Sequence, residues 1–288
     1  MMQRMARRGG IERHDLRIVA MQPGHLDALH GLSVSIGWPH RRSDWAANLE
    51  SGQGIVAVDA MDRVHGSAMY FPYRNALSAL GMVITHPRLR GSDLFEVLTR
   101  AAVERTGGDA AFLNACREDV AVFRDLGAGV GAPVLKIEGL LCRAPAVSGD
   151  VRLLRPGEFP GLLRLDQNVY EADRARVLES LESRSQTRVI ERGGRIAGFA
   201  MRRRFGRGFL IGPLIAEREA DAIRLTAALL SGLEGQFIRI DTRREAGPFR
   251  QFLSGLGLRA RPDALTMAFG RGAATVQGSF ALSGHSTG

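Results

Sequence analysis

The stretch THPRLRGSDLFEVL, residues 85–98, has the residue types of a phosphate-binding turn. A strand-like run ends at Thr85, a proline and two arginines follow, and Gly91 precedes a run with helical apolar spacing. Main-chain amides at the start of a helix point at an anion, and the helix dipole favours negative charge there. Arginine side chains beside such a turn add charge-assisted hydrogen bonds to phosphate oxygens. The stretch therefore predicts a loop that can hold a diphosphate.

Asp93 opens a second interpretation of this loop. It stands three residues before Glu96 at the start of an apolar run, which is the pattern of a capping box. A capping carboxylate takes the amides that a phosphate needs, for a gain of about 1 kcal/mol. An ionised carboxylate beside a diphosphate oxygen costs on the order of 4 kcal/mol before screening. Arg88 and Arg90 can offset that charge, so the loop either binds phosphate or is closed by its own acid.

The elements around this loop occur twice along the 288 residues. LRIVAMQPGHLDALHGL (16–32) and VRLLRPGEFPGLLRLD (151–166) each predict a short strand, a Pro-Gly turn and an amphipathic helix. GIVAVDAMDRVHGSAMYF (54–71) and TRVIERGGRIAGFAMRRR (187–204) each predict a hairpin. Each half then predicts an apolar strand, a helix and a last strand. The sequence therefore predicts a duplicated α/β unit with a mixed sheet.

The duplication sets the predicted domain boundaries. We expect one domain at 16–144, a linker at 145–150 where the residues are small and polar, and a second domain at 151–271. Residues 1–15 are predicted to be a flexible N-terminal segment. Residues 272–288, rich in Gly, Ser and Thr, are predicted to be a disordered tail.

Composition narrows the function classes. The net charge of +9 comes almost wholly from arginines scattered among acids, with Lys136 the one lysine, so we expect no nucleic-acid partner. Cys116 and Cys142 are too few for a disulfide framework or a thiolate zinc site, so no metal is expected. No run of 18 apolar residues and no signal peptide is present, which predicts a cytoplasmic protein without a membrane partner.

The order of elements in both halves resembles the GNAT acyltransferase fold. MVITHPRLRGSDLFEVL (82–98) is similar to that family's central motif, in which a strand ending in Val-x-x-Pro leads to Arg-Gly-x-Gly-x-Gly or Ala. LDQNVYEADRARVLESL (165–181) and FLIGPLIAE (209–217) make the second half similar to the acetyltransferase-like domain of bacterial tandem GNAT proteins. The resemblance implies two tandem GNAT-like domains.

The resemblance also implies acetyl-CoA as the acyl donor, bound by the first half. Val83, Ile84 and Thr85 would then line the pantetheine arm, and the turn around the diphosphate would include Arg88, Arg90, Gly91, Ser92, Asp93, Leu94 and Phe95. Asp93 and Phe95 stand where the motif has its later small residues. The matching turn of the second half, from Ala216, has no glycine and carries three acids, so the first half alone is predicted to bind the cofactor.

Acetyl transfer to an amine needs a base for the amine and a proton for the leaving thiolate. GNAT enzymes often supply that proton from a tyrosine, but the matching positions here hold Phe123 and Leu253. The catalytic residues therefore stay unknown. The weak candidates are His86, Cys116, Tyr70 and Tyr73. Each also has an ordinary structural explanation, as a turn residue, a buried thiol or hairpin aromatics.

The weak candidates for binding the acceptor are aromatic and acidic. Trp38 and Trp45 lie between the first helices, in the segment that walls the acceptor site in this fold. In the second half, the candidates are Asp166, Tyr170, Asp173 and Asp241. Packing in the core explains the tryptophans equally well, and exposed ion pairs or turn caps explain the acids.

The sequence thus predicts an N-acetyltransferase that moves an acetyl group from acetyl-CoA directly to a primary amine of a small-molecule acceptor. The second domain would shape the acceptor cleft. The alternative is a non-catalytic GNAT-fold protein that senses a ligand or a partner. Neither the acceptor nor the oligomeric state can be assigned from the sequence.

Overall fold

The computed structural model describes residues 15–73, 77–107, 110–147, 149–270 and 277–288. Within these residues, thirteen strands form one sheet with helices on both faces. Most of the predicted flexible segment 1–15, residue 148 of the predicted linker and residues 272–276 of the predicted tail lie outside the described residues. No helix in the described ranges is long and apolar enough to cross a membrane.

The two halves repeat one order of elements, as the sequence predicts. The first half contains β1 (Arg17–Ala20), α1 (Leu26–Ser35), α2 (Arg42–Ser51), β2 (Gln53–Val58), β3 (Val64–Tyr73), β4 (Leu77–Thr85), α3 (Leu94–Thr106), β5 (Ala110–Cys116), α4 (Val120–Asp125) and β6 (Gly129–Leu140). The second contains β7 (Val151–Leu153), α5 (Phe159–Tyr170), α6 (Ala175–Glu182), β8 (Gln186–Arg192), β9 (Arg195–Phe205), β10 (Gly208–Ala216), α7 (Glu219–Leu230), β11 (Phe237–Thr242), α8 (Pro248–Gly255) and β12 (Arg259–Gly270). One further strand, β13 (Ser279–Ala281), follows the second copy.

The closing strands of the two halves are exchanged. β12 of the second half pairs with β5 of the first, while β6 of the first half pairs with β11 of the second. β6 and β12 also pair with each other, so one sheet runs from β1 to β7 without a break. Because each half is completed by a strand from the other, the halves are held in a fixed relation.

Successive side chains along each strand point to opposite faces of the sheet, so the core has one part on each face. Tyr70 and Phe71 are neighbours on β3, yet Phe71 packs with α1 and α2 whereas Tyr70 packs with α3. This is the period of two expected of a strand buried on both sides. The cluster that contains Phe71 continues across α5 and α6 to Phe199 in the second half. The face that carries α1, α2, α5 and α6 therefore joins the halves.

Two pairs of parallel strands separate along their length, one pair in each half. β4 and β5 pair from Leu77–Leu80 with Ala110–Leu113, and then diverge. β10 and β11 pair only at Phe209 and Leu210. Beyond that point β13 pairs antiparallel with β10, and the amide of Leu282 donates to the carbonyl of Asp241 on β11 at 2.8 Å. β13 thus fills the divergence in the second half.

The predicted disorder of 272–288 is wrong for residues 277–288. Ser279, Phe280 and Ala281 are buried, and Phe280 packs edge to face on Phe249 of α8 with ring centroids 5.5 Å apart. The diverging strands leave main-chain groups that need partners, and this short segment supplies them. Its composition suggested disorder because three strand residues are too few to show a period.

Candidate active site between the two halves

A cavity of about 380 Å³ lies where the halves meet on the face of α1, α2, α5 and α6. The first half contributes the segment from Trp38 to Ser51 and the ends of β4 and β5. The second half contributes α6, the ends of β9 and β11, and residues 284–287 of the segment after β13. No single half could form this cavity.

The cavity meets the first half at the divergence of β4 and β5. Gly81 and Met82 on β4, and Asn114 and Cys116 on β5, line it there. A Cβ atom on Gly81 would lie 2.6 Å from the Cβ of Ser286, so only glycine lets the segment after β13 approach β4 this closely. The Asn114 side-chain amide donates to the carbonyl of His285 at 2.8 Å. The segment after β13 is therefore fixed against the first half's diverging strands.

The same segment is anchored by a buried ion pair. Arg174 and Asp166 are almost fully buried and form a two-point pair, with Arg174 Nη2 2.7 Å from Asp166 Oδ1. Arg174 also donates to the carbonyls of Thr287 and Gly288, and the Tyr73 hydroxyl donates to the Thr287 carbonyl at 2.7 Å. Both halves thus hold the last residues in place.

Two ion pairs stand in the cavity wall. Lys136 Nζ lies 2.7 Å from Asp263 Oδ2, and Arg239 Nη2 lies 2.9 Å from Asp241 Oδ2. Burial alone would raise the pKa of Asp241. The neighbouring His285 and Arg239 outweigh that effect and hold the pKa well below its usual range. Asp241 is therefore an anion next to His285.

Two imidazoles in the wall have a buried ring nitrogen without a hydrogen-bond partner among the described residues: His40 Nδ1 and His285 Nε2. The His40 ring packs against Trp38 and edge to face on Phe205, at 5.4 and 5.3 Å between centroids. Burial lowers the pKa of His40 to about 4, so its ring is neutral at pH 7. His285 Nε2 lies 3.6 Å from Asp241 Oδ2 and 3.8 Å from Asp263 Oδ2, too far for hydrogen bonds.

The loop before α3 has some of the features expected of a phosphate-binding turn. Gly91 adopts φ +84°, a left-handed conformation that favours glycine. The first i→i−4 bond of α3 runs from the Val97 amide to the Asp93 carbonyl, so the amides of Phe95 and Glu96 precede it and have no intrahelical acceptor. The Ser92 amide is engaged, because it donates to the Leu89 carbonyl at 3.1 Å.

The capping box suggested by Asp93 and Glu96 does not form. The Asp93 side chain makes no capping hydrogen bond, and its backbone, at φ −76° and ψ 7°, is not in the extended region that a capping residue normally adopts. The Phe95 side chain turns away from the loop and packs edge to face on Phe123, 5.4 Å between centroids. Ser92 Oγ accepts from the Leu94 amide at 3.4 Å, whereas the Asp93 side chain leaves the amides of Phe95 and Glu96 uncapped.

The matching turn of the second half is filled by paired acids. Asp221 is fully buried and forms ion pairs with Arg192 and Arg224. The Glu219 carboxylate accepts a hydrogen bond from the Phe249 amide at 2.8 Å. These acids occupy the start of α7, the place that the family resemblance assigns to a diphosphate.

The weak catalytic candidates are not brought together. His86 lies outside the cavity lining, where its Nδ1 accepts from the Arg88 amide at 3.2 Å, as a turn residue does. Burial and Arg88 lower its pKa. The Tyr70 hydroxyl donates to Gln53 at 2.8 Å on the α3 face, and Tyr73 is buried with its pKa raised. Cys116 lines the cavity, but burial raises its pKa to about 12, which disfavours the thiolate.

The weak acceptor candidates divide between cavity and core. Trp38 and Asp241 line the cavity. Trp45 is fully buried and its indole N–H donates to Ser33 Oγ at 2.8 Å. Asp166 holds Arg174, as described above. The other two are structural as well: the Tyr170 hydroxyl lies 3.0 Å from Ser279 Oγ, and Asp173 accepts from the Ala175 amide at 3.0 Å.

The remaining cofactor candidates lie along β4 and the loop that follows. Ile84 is buried on the face shared with α1 and α2, Val83 is partly buried on the α3 face, and Thr85 ends the strand. Leu94 is the first residue of α3 and is buried, whereas Arg88 and Arg90 flank the loop. Their backbone course is that of a strand leading into a helix-start turn.

The polar residues of the cavity that the sequence interpretation missed include His285, Arg203, Lys136 and Asp263. Arg203 Nη1 donates to the Gly212 carbonyl at 2.6 Å, and Arg203 Nη2 donates to the Ser283 carbonyl. His285 lay in a segment that composition marked as disordered. No group of three or more potential metal ligands occurs among the described residues.

Comparisons with known proteins agree with this architecture. Residues 162–278 match the family model described as an acetyltransferase (GNAT) domain. A proposed acetyltransferase from Pyrococcus horikoshii is similar over 99% of this chain and 100% of its own, with a TM-score of 0.81 and 17% identity. No curated protein matches the chain in sequence.

Two further structures cover 88% of this chain. A GCN5-related N-acetyltransferase from Sphaerobacter thermophilus has a TM-score of 0.63, 13% identity and 95% coverage of its own chain. A tandem GNAT protein from the clavulanic acid biosynthesis pathway has a TM-score of 0.66, 16% identity and 98% coverage of its own chain. The predicted fold class is confirmed: the chain has a mixed α/β structure with a tandem GNAT fold.

Proposed function

We propose that this tandem GNAT-fold chain is a cytoplasmic N-acetyltransferase that binds acetyl-CoA in its first half and transfers the acetyl group directly to a primary amine. The acceptor occupies the cavity between the halves. The observation that carries this proposal is the contrast between the two strand divergences. The cavity opens onto the divergence of β4 and β5, whereas β13 fills the divergence of β10 and β11.

The donor is held by the main chain of the first half. The pantetheine arm runs along the edge of β4 from Val83 to Thr85, and the diphosphate lies against the start of α3, where the amides of Phe95 and Glu96 have no intrahelical acceptor. Arg88 and Arg90 add positive charge beside that turn. The same path in the second half is blocked by β13 and by the paired acids of α7.

His285 is the group best placed to accept the proton of the acceptor's ammonium. Its Nε2 has no partner in the described structure and lines the cavity, and its main chain is tied to Asn114 at the β4 and β5 divergence. Asp241 and Asp263 face the ring, each with its own cation, Arg239 or Lys136. An imidazole beside a carboxylate is a common general base in enzymes.

The transfer balances without a dedicated acid. The ammonium gives one proton to His285, the neutral amine attacks the thioester carbonyl, and the C–S bond breaks as the amide C–N bond forms. The thiolate then takes the proton that the amine nitrogen sheds. Phe123, at the position of the family's frequent tyrosine, is buried and has no proton to give. We therefore expect modest turnover.

Calorimetric titration with acetyl-CoA, together with a thiol-release screen, tests this proposal. The screen covers ethanolamine, spermidine, L-amino acids, an aminoglycoside and a lysine-containing peptide. Micromolar binding of one acetyl-CoA per chain and thiol release with one amine class are expected. With that amine, His285→Gln should lower kcat at pH 7 by about a hundredfold and less at higher pH, because the amine then loses its proton to water. An unchanged kcat would remove His285 from the proposal.

One result would favour the non-catalytic alternative. If the native chain does not bind acetyl-CoA and releases no thiol, but an Asp93→Gly chain binds it, the first loop is closed to phosphate in the native protein. The cavity would then serve to sense a ligand. The observation that argues against this outcome is that the amides of Phe95 and Glu96 have no intrahelical acceptor and no cap from Asp93.

A further inference from the structure

The cavity lining holds more cations than acids. Three aspartates line it: Asp44, Asp241 and Asp263. The described lining also holds six cationic side chains: Arg41, Lys136, Arg184, Arg203, Arg204 and Arg239. Each aspartate already has one cation of its own, since Arg41 pairs with Asp44 at 2.9 Å and the other two pairs are described above. We propose that the acceptor is an amine that also carries an anionic group, a carboxylate or a phosphate, and that Arg203 binds that group.

This inference rests on the proposed function and extends it to a substrate class. Arg203 is the partly buried cation of the lining that forms no ion pair with a described residue, whereas Arg204, which also forms none, is exposed. Its guanidinium has five N–H donors and is charged at any physiological pH. The structure gives it two carbonyl partners, Gly212 and Ser283, and no carboxylate at ion-pair distance among the described residues. Burial lowers its pKa to about 10 because these neutral partners do not offset the loss of water.

The charges are also arranged along the cavity. Asp263 precedes Ala264, which pairs with Cys116 at the end of β5, so this acid lies at the divergence of the first half. His285 is tied to Asn114 at the same place. Arg203 lies on β9 opposite Leu210, within the second half. An acceptor with its amine toward His285 and its anion toward Arg203 therefore meets a base and a cation at two different points of the cavity wall.

The two unpartnered ring nitrogens support a polar occupant. His40 Nδ1 and His285 Nε2 are buried, and a buried polar atom is normally hydrogen-bonded. The amine of the acceptor would partner His285 Nε2, but an amine with no further polar group would leave His40 Nδ1 without a partner. His40 is neutral, so it adds no charge and can either donate or accept a hydrogen bond from the ligand.

Matched pairs of amines, one with and one without an anionic group, measure the effect of that group on its own. The probes are L-leucine against L-leucinamide, for a carboxylate, and phosphoethanolamine against ethanolamine, for a phosphate. Thiol release with acetyl-CoA gives kcat/KM, and calorimetry without acetyl-CoA gives affinity. The anionic member of one pair should be preferred by about tenfold or more, which is the scale of a charge-assisted hydrogen bond. Whichever pair shows the preference identifies the anion.

Variants test whether Arg203 causes the preference for the anionic amine. Arg203→Gln should abolish it, Arg203→Lys should keep part of it, and the exposed Arg207→Gln, outside the lining, should leave it unchanged. Melting curves show whether the Arg203→Gln variant stays folded. If it does not, the Arg203→Lys variant, which keeps the charge, is compared with the native chain instead. Equal treatment of both members of both pairs overturns the substrate class while leaving acetyl transfer intact. Preferential, Arg203-dependent binding without thiol release supports the class and contradicts the transfer.

Discussion

The two halves repeat one fold but treat the same structural opening differently. In the first half, β4 and β5 part after Leu80 and Leu113, and the central cavity reaches them. In the second half, β10 and β11 part after Leu210 and Arg239, and β13 pairs with the exposed edge. A main-chain strand satisfies the same hydrogen-bonding groups that a pantetheine arm would satisfy. The opening of the second half is thus closed by the chain itself, whereas the opening of the first half meets the cavity and has His285 and Ser286 packed beside it.

The difference shows how the second half contributes to a site in the first. Closing its own opening carries the chain from β13 across the sheet, so that His285 and Ser286 reach β5 and β4 of the first half. The exchange of β6 and β12 holds the halves in the position that this crossing requires. In the proposed function, the second half supplies walls of the cavity and a candidate base.

The largest expected effect comes from loosening β13. Phe280→Ala removes a buried ring that packs on Phe249, and we expect a loss of about 4 kcal/mol in the free energy of unfolding. Denaturant unfolding measures it, with the half-exposed Leu153→Ala as control. A loss below about 1 kcal/mol would mean that β13 is not an integral strand of the second half.

The next effect is the pH dependence of stability that arises from His40, whose ring contacts Trp38 of the first half and Phe205 of the second. The pKa of His40 is about 4 in the folded chain, compared with an ordinary histidine value of 6.5, so its charged form is disfavoured in the fold. A folded pKa below the unfolded one gives stability that is fully present above pH 6.5 and is lost as the pH falls toward 4, by at most about 3 kcal/mol.

His40→Gln removes that titration. The difference in unfolding free energy between the native chain and the variant should shift against the native chain as the pH falls through this window. Urea unfolding at a series of pH values measures the difference. A constant difference from pH 7 to pH 4 would contradict the burial of a neutral ring between Trp38 and Phe205.

Arginine substitutions compare the two helix-start turns directly. Arg90→Gln should weaken acetyl-CoA binding by about tenfold, because one charge-assisted contact to the diphosphate is lost. Arg218→Gln, a change at the start of α7, should leave the affinity unchanged. Calorimetric titration measures both. The reverse pattern would move the donor site to the second half.

The smallest expected effect is a gain in affinity. Asp93 is exposed and does not cap α3, so its repulsion of a diphosphate is screened by water to about 1 kcal/mol. Asp93→Asn should tighten acetyl-CoA binding by about fivefold, whereas Glu217→Gln in the second half should not change it. Weaker binding by Asp93→Asn would show that the carboxylate helps to form the loop.

Local patterns predicted the repeated elements, because each helix and hairpin has its own periodicity and turn residues. The exchange of β6 and β12 could not be predicted in this way, since it depends on pairing between residues more than a hundred positions apart, such as Cys116 and Ala264. Sequence spacing gave Asp241 and Trp38 as candidates, and both line the cavity.

Other parts of the site had no local signal. Composition marked the tail as disordered, yet its order comes from the main-chain groups of β10 and β11, which the tail's own residues do not reveal. Lys136, Asp263 and Arg203 lie on three different strands, and only the folded sheet brings them to one wall. Asp166 and Arg174 are eight residues apart and looked like exposed ion pairs, but tertiary packing buries both.

A crystal structure of the chain with acetyl-CoA tests the central claim most directly. The account predicts one molecule per chain, with its pantetheine arm against β4 of the first half, its diphosphate at the start of α3, and β13 still paired with β10. A pantetheine arm found between β10 and β11, with residues 279–282 displaced, would contradict it.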